Sequence, residues 1–311
     1  DMPDGCRGTR PVHFYPHILP DGQLAKAFFP PISGEVLQYC RCNDVAIHTE
    51  ALNLRSSQVA CFNVMFPLRQ DLSLAARALE PVLPDVSSVE RMEFEYTGPD
   101  EATEWLGEPR GGRRGQNRTS IDIAIWWSDG TRRLLTLVEW KYTESGYGTC
   151  GGYRSKGNPD KRRCENLNVL DPAAPTKCYL TEGRNRRRYW EHLKCAGIDL
   201  GVASEAVGCP FRGPFYQLMR QQLLAQFLRE WEDVHQVFVV SLGFRGNTEL
   251  LRSPGMLRPL GANVLAAWNR FLRGVPRIRH VTVEEIVEAA RAHGSPSNAD
   301  WLHYLNERYG L

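Results

Sequence analysis

Residues 119–144 read TSIDIAIWWSDGTRRLLTLVEWKYTE, and they contain the most informative pattern in the chain. Two apolar runs with the composition of strands flank the turn sequence Ser-Asp-Gly, which predicts a β-hairpin. Asp122 nevertheless lies near the start of the first run, and the second run ends with Glu139-Trp140-Lys141. Charged side chains are uncommon in a buried sheet unless they are used there. The stretch therefore predicts a sheet with a polar site at one edge.

The charged side chains of the hairpin are predicted to meet at one end of the sheet, because side chains alternate between the two faces of a strand. Asp122 falls on one face of the first strand, and Glu139 and Lys141 project together from the second. Pairing of the strands around the turn brings two carboxylates and an ammonium to the same edge. Such carboxylates, with a backbone carbonyl, can hold Mg²⁺, and a neighbouring lysine suits phosphodiester hydrolysis. The alternative is a plain salt bridge between Lys141 and Glu139.

The remaining pattern predicts a single α/β core with mixed strands and an insertion. We divide the chain into an irregular, proline-rich N-terminal segment (1–45), a core (46–245) and a C-terminal α/β extension of the same domain (246–311). The insertion spans about 143–213, and residues 99–117 are predicted to form a loop. Helices are predicted at 56–66, 73–83, 213–231, 261–272, 283–294 and 298–310, and further strands at 89–96, 234–244 and 279–283.

The net charge of +2 conceals an uneven distribution along the 311 residues. Residues 110–194 carry 18 basic and 9 acidic residues, a balance of +9, which leaves −7 for the remainder. A local basic field favours a polyanionic partner, and Arg186, Arg187 and Arg188 are its densest run. The alternative is a set of solvated loops. No apolar run is long enough for a membrane span, and the first residues have no apolar stretch typical of secretion, so we expect a cytoplasmic protein.

Cysteines are concentrated in the predicted insertion. Cys164, Cys178, Cys195 and Cys209 follow one another at intervals of 14, 17 and 14 residues, and His192 precedes Cys195 by three. Four such ligands could hold structural Zn²⁺ or an iron–sulfur cluster. The insertion has little apolar patterning of its own, and a metal could substitute for a core. The alternative is a set of buried thiols without a metal.

Asp122, then Glu139-Trp140-Lys141 at the end of an apolar strand, resembles the PD-(D/E)XK nuclease superfamily. The flanking sequences NLRSSQVACFNVMFPL and CPFRGPFYQLMRQQLLA resemble a bacterial, restriction-endonuclease-like subgroup. Ile121 stands where the motif has proline. The resemblance implies a restriction-endonuclease-like core and a Mg²⁺- or Mn²⁺-dependent nuclease acting on DNA in restriction or defence. It further implies that Asp122, Glu139 and the Trp140 carbonyl bind the metal and that Lys141 is the catalytic lysine.

Other residues of the candidate site come from the two helices that flank the hairpin in sequence. Relatives often add an acid from the first helix. Here Glu50 is the only acid near it, and we prefer Gln58 as a polar group facing the site; the alternative is a surface glutamine. Gln217 and Arg220 share one face of the later helix and are candidates for nucleic-acid contact, or for a solvated face.

Double-strand cutting would favour a homodimer. Two other function classes remain open from the sequence: a non-catalytic nucleic-acid-binding module, and an interaction domain held together by a metal. Activity with Mg²⁺ separates the nuclease from the first, and metal analysis of cysteine variants tests the second.

Overall fold

A computed structural model describes residues 17–111, 113–114, 118–182, 186–206, 208–293 and 296–311. The first 16 residues of the predicted N-terminal segment, and Arg184 of the basic run, lie outside these ranges. No helix within the described ranges combines the length and apolar character required to cross a membrane.

The fold is built on one five-stranded mixed sheet in the order β1-β2-β3-β4-β5. The strands are β1 (Ser88–Tyr96), β2 (Ile121–Ser128), β3 (Arg133–Lys141), β4 (Gln236–Gly243) and β5 (Arg279–Thr282). β1, β2 and β3 are antiparallel neighbours, whereas β4 and β5 add in parallel to β3. This confirms the predicted α/β class with a mixed central sheet. The predicted C-terminal strand joins the same sheet.

Helices cover both faces of the sheet. Their bounds are α1 (Ser33–Cys42), α2 (Ser57–Gln70), α3 (Leu72–Ala78), α4 (Asp100–Trp105), α5 (Gly151–Arg154), α6 (Arg162–Glu165), α7 (Tyr189–His192), α8 (Phe215–Trp231), α9 (Val264–Asn269), α10 (Val283–Ala292) and α11 (Ala299–Tyr309). One core packs α1, α2, α3, α10 and α11 against the sheet, and the other packs α4, α8, α9 and the insertion against its opposite face.

The alternation of side chains along β2 explains why a core forms on each face of the sheet. Ile123, Ile125 and Trp127 of β2 enter the first core, while Ala124 and Trp126 enter the second. All five side chains are fully buried, so a shift of register by one residue would move each of them to the wrong face. The observed pairing of Ile123 with Val138 and Ala124 with Leu137 is therefore strongly specified by the sequence.

Several predicted elements need correction. The segment 1–45 is not irregular throughout, because it contains α1, whose Val36, Tyr39 and Cys40 are buried. The predicted loop at 99–117 contains α4. The sequence NRRRYWEHLKCA (185–196) also predicts a helix, but within its described part, 186–196, only the four residues of α7 are helical. These are short elements that tertiary packing holds in place, since helices of one or two turns have little stability of their own.

The insertion also differs from expectation, because it contributes a substantial buried apolar surface. Leu167, Tyr189, Leu193, Ile198 and Phe211 are buried and belong to the second core, together with α8. Its apolar residues are spaced irregularly because they lie on short helical turns and loops, so no period of 2 or 3.6 residues marks them.

Candidate active site

The predicted acids lie in a cavity of about 260 Å³ at one edge of the sheet. Its floor is the start of β2 and the ends of β1 and β3, and its walls are the first turns of α2 and α8. Asp122, Glu139 and Lys141 all line it. Continuation of the β2–β3 register would place Asp122 opposite Glu139. The structure thus brings together the three side chains that the hairpin pattern singled out.

Glu139 is the most heavily hydrogen-bonded of these residues and is only 3% exposed. Gln217 donates to its Oε1 at 2.5 Å, Gln221 donates to its Oε2, and the ammonium of Lys141 lies 2.6 Å from its Oε1. A buried carboxylate must be paired or hydrogen-bonded to be tolerated, and these three donors satisfy both oxygens of Glu139 and fix the direction of its side chain.

Asp122 is held by the backbone of the neighbouring strand. The Trp140 N–H donates to its Oδ2 at 2.7 Å, which takes the place of the next sheet hydrogen bond. Burial raises the pKa of Asp122 well above its usual value, and the negative charges of Glu139 and Glu95 raise it further. The positive charge of Lys141 lowers the pKa of Asp122, but it only partly offsets burial and the two neighbouring carboxylates.

Lys141 is also buried, and its partners set its protonation. Burial by itself lowers a lysine pKa, but the Glu139 and Asp122 carboxylates outweigh this effect and raise the pKa of Lys141 above its usual value. The side chain therefore stays an ammonium at neutral pH. It can donate hydrogen bonds and stabilise negative charge, but it is not suited to remove a proton.

Glu95, near the end of β1, is another carboxylate of the cavity that the sequence pattern missed, and Glu144, which follows β3, lines the cavity as well. Glu95 has a left-handed backbone conformation with φ of 50°, which is strained for a residue other than glycine by about 1–3 kcal/mol. As a result Phe94 lies in the first core and Tyr96 in the second, and Glu95 points into the cavity between them. The strand predicted over 89–96 would place Phe94 and Tyr96 on one side of the sheet, because side chains alternate along a strand. This expectation is wrong, since the left-handed residue between them sends them to different cores.

Gln58 lies in the cavity, as expected, but it is engaged with the protein. Its amide nitrogen donates to Glu95 Oε1 at 2.8 Å and to the Ala46 carbonyl at 2.9 Å, and its oxygen accepts from the His48 N–H. Glu50, in contrast, is exposed and does not line the cavity. The acid supplied beside α2 is Glu95 from β1.

Gln217 and Arg220 line the cavity, and Gln221 joins them from the same face of α8. Both glutamines bind Glu139, as described above. Arg220 forms an ion pair with Glu108 at 3.4 Å and donates to the Thr119 hydroxyl at 2.9 Å. The Arg220 side chain is 22% exposed and lines the cavity.

A second and larger cleft, of about 820 Å³, adjoins this cavity and shares Arg118 and Arg220 with it. Arg110 and Arg187 also line it, and no acidic side chain does among the described residues. The other two arginines of the predicted basic run have different positions: Arg186 is exposed, and Arg188 is paired with Glu191 at 2.8 Å. Thus Arg187 alone of the three lines the cleft.

The carboxylates do not form a closed metal cage. In the described part of the chain, no three histidine, cysteine or acidic side chains are close enough together to hold a metal ion. Mg²⁺ does not require such a cage, because it keeps several waters and commonly takes one or two protein carboxylates.

The cysteines form a different group from the one predicted. Cys164, Cys178 and Cys209 line a single cavity, and the fourth cysteine there is Cys150. Cys195 lies elsewhere: it is exposed and donates to the His192 carbonyl. The His192 ring stacks on Trp105 with 3.7 Å between ring centroids. The helical spacing of His192 and Cys195 therefore did not indicate a ligand pair.

Comparison with known proteins adds one finding. No curated protein and no solved structure matched the chain. A family model described as "Restriction Endonuclease associating with ARP" (REase-ARP) matches residues 2–310, which is nearly the whole chain and includes every element around the carboxylate cavity. The mixed sheet flanked by helices is consistent with a restriction-endonuclease-like fold. The chain belongs to the REase-ARP family of restriction endonucleases.

Proposed function

We propose that this protein is a metal-dependent nuclease of the PD-(D/E)XK type that hydrolyses phosphodiester bonds of DNA in restriction or defence. The observation that carries the proposal is the convergence of Asp122, Glu139 and Lys141 in one cavity that adjoins an arginine-lined cleft. Membership of a restriction-endonuclease family supports the same reaction class.

The donor set fits Mg²⁺ or Mn²⁺. Asp122 and Glu139, with the backbone carbonyl of Trp140, would hold the ion, and hard oxygen ligands are those that Mg²⁺ prefers. A cation there would offset the repulsion from Glu139 and Glu95 that helps to raise the pKa of Asp122. When bound, such a metal lowers the pKa of a coordinated water and neutralises charge on a phosphate.

Lys141 would act as an electrostatic catalyst. Since its carboxylate neighbours keep it protonated, it would donate a hydrogen bond to the attacking water or to the phosphate and stabilise the negative charge that develops there. A general-base role does not fit a raised pKa.

Three glutamines would position the acids. Gln217 and Gln221 each bind one oxygen of Glu139, and Gln58 binds Glu95. Such partners fix the orientation of metal-binding carboxylates. For Gln58 we therefore propose a positioning role rather than direct contact with substrate.

DNA would approach through the arginine-lined cleft. Arg118 and Arg220 line both cavities, so a phosphodiester backbone bound along the arginines reaches the carboxylates without a gap. Arginine forms paired hydrogen bonds to phosphate oxygens. Backbone contacts of this kind bind and orient nucleic acid without reading its sequence. Cutting both strands would require two such centres, and hence a homodimer.

The proposal is tested by incubating supercoiled plasmid, linear duplex and RNA with the protein in Mg²⁺, Mn²⁺ or EDTA. We expect metal-dependent cleavage of DNA that Asp122→Ala, Glu139→Ala and Lys141→Ala each abolish. Glu90→Ala is the matched control, because Glu90 is an exposed acid on β1 that pairs with Arg133 outside the cavity. Full activity in any of the three variants, or equal loss in the control, contradicts the proposal. DNA binding without cleavage would indicate a non-catalytic module.

A further inference from the structure

The insertion contains a second candidate site, separate from the carboxylates. Cys150, Cys164, Cys178 and Cys209 line one cavity whose walls are mainly apolar and aromatic. None of the eight cysteines in the described ranges forms a disulfide. The four residues are far apart in sequence, so the chain must fold back three times to bring them together.

Each of the four cysteines lies in, or directly next to, a short helical turn. Cys150 is the N-cap of α5 and Cys164 lies in α6. Cys178 separates two 3₁₀ turns, and Cys209 immediately precedes another. The Cys209 N–H donates to the Cys164 carbonyl at 2.8 Å, which holds two of the four segments in direct contact.

Gly208 makes this contact achievable. Its φ is +74°, and a Cβ there would lie 2.1 Å from the Glu165 carbonyl oxygen and 2.7 Å from that of Cys164. No other residue tolerates both the left-handed conformation and this approach. The backbone is thus specialised for bringing Cys209 beside Cys164, which a set of unrelated buried thiols would not need.

The arrangement of the thiols suggests what they bind. A zinc site needs each sulfur about 2.3 Å from a single ion, and within the described ranges no three ligands converge on a point in this way. The thiols instead surround a cavity, as they do around a polynuclear iron–sulfur cluster. Arg187 and Arg212 also line the cavity, and their positive charge would offset that of four thiolates.

We propose that Cys150, Cys164, Cys178 and Cys209 bind an iron–sulfur cluster that fastens the insertion to α8. Tyr216 and Met219 of α8 line the same cavity, on the helix that carries Gln217 and Gln221. The cluster is structural: it replaces the regular secondary structure that the insertion lacks and holds Arg187 in place at the arginine-lined cleft. This assignment does not depend on the nuclease proposal.

The test uses full-length protein purified without oxygen and analysed for iron, zinc and acid-labile sulfide, with a visible absorption spectrum. We expect iron and sulfide in equal amounts, on the order of two to four per chain. Cys164→Ser and Cys209→Ser should each lose most of the iron, while Cys195→Ser, the matched control outside the cavity, should retain it. Zinc in place of iron, no metal, or the same iron content in all variants overturns the assignment.

A second measurement covers variants that fail to fold. Wild-type protein is alkylated before and after removal of iron, and the modified cysteines are identified by mass spectrometry. Cys164 and Cys178, which are partly exposed, should become reactive only after iron is removed, whereas exposed Cys42 and Cys195 should react in both cases. Equal reactivity of Cys164 and Cys178 before and after removal contradicts the assignment.

Discussion

Asp122→Asn should make the metal-free protein more stable while abolishing its response to Mg²⁺. The amide oxygen of asparagine can still accept from the Trp140 N–H, so the hydrogen bond to β3 is retained. The substitution removes a carboxylate whose pKa is raised by burial, and further by the negative charges of Glu139 and Glu95. A metal-binding acid is thus expected to reduce stability until its metal is present.

The direction and the size of this change in folding stability follow from proton linkage. Because the folded state binds the Asp122 proton more tightly than the unfolded state, stability falls as pH rises from the unfolded pKa of about 3.9 through the folded value. Each unit of pKa difference corresponds to about 1.4 kcal/mol, or a change in Tm of about 2–3 °C in a chain of this size. Relative to wild type, Asp122→Asn should gain this amount of folding stability at pH 8, and it should gain none below about pH 4.

The prediction also concerns how much Mg²⁺ raises the Tm of each protein. A ligand at a hundred times its Kd stabilises the folded state by about 2.7 kcal/mol, which corresponds to a rise in Tm of about 5 °C. Wild type should show this rise, and Asp122→Asn should show little of it. Thermal unfolding followed by circular dichroism, in EDTA and in a Mg²⁺ series, measures both effects.

Asp129→Asn is the matched control, since it is the same substitution in the turn of the same hairpin. Asp129 accepts from the N–H groups of Thr131 and Arg132, and these bonds lower its pKa. The control should therefore lose stability at neutral pH and keep the full response to Mg²⁺. The reasoning is refuted if Asp122→Asn is less stable than wild type in EDTA at pH 8, or if Mg²⁺ stabilises both equally.

Three other predictions concern the surroundings of the acids. Gln221→Ala removes a donor to Glu139 and should lower the cleavage rate about 10- to 100-fold with the fold retained; an unchanged rate would exclude the positioning role. Glu95→Gln removes a negative charge that raises the pKa of Asp122, so the acidic limb of the pH–rate profile should move to lower pH, and a limb that stays in place would contradict this. Neutralising residues 186–188 in an inactive variant should make DNA binding less salt-dependent. The slope of log affinity against log salt concentration should fall by about one unit for each phosphate that these arginines neutralise. Binding titrations at several salt concentrations measure the slope, and an unchanged slope would argue that these arginines do not bind DNA.

The hairpin and its acids were predictable because side chains alternate between the two faces over residues 123–127 of β2. The alternation fails only at the start of the strand, where Ile121 lies in the second core instead of the first with Ile123. Once Ile123 and Ile125 face one core, Asp122 must face the other side, and the turn length determines its partner on β3. The mixed sheet, α2, α8 and the C-terminal helices follow from periodic apolar patterns in the same way.

Two parts of the candidate sites were not predictable from local pattern. Glu95 enters the cavity only because its backbone is left-handed. A prediction from strand alternation assumes an extended backbone at every residue, so it could not place Glu95 there. The cysteine group depends on where distant loops meet: Gly208 permits the approach of Cys209 to Cys164, and no spacing rule indicates Cys150. A three-residue spacing suggested Cys195 instead, but neighbours on a helix face need not share a site.

A single plasmid-cleavage time course tests whether the hairpin acids form a metal-dependent nuclease centre. It compares wild type with Glu139→Gln, each with Mg²⁺ and with EDTA. Glutamine keeps the size of the side chain, and it removes the charge that binds the metal and pairs with Lys141. Wild type should convert supercoiled plasmid to nicked or linear product only with Mg²⁺, and Glu139→Gln should produce none at the same protein concentration. Cleavage by Glu139→Gln at the wild-type rate, or cleavage that persists in EDTA, would contradict a metal-dependent centre built on Asp122, Glu139 and Lys141.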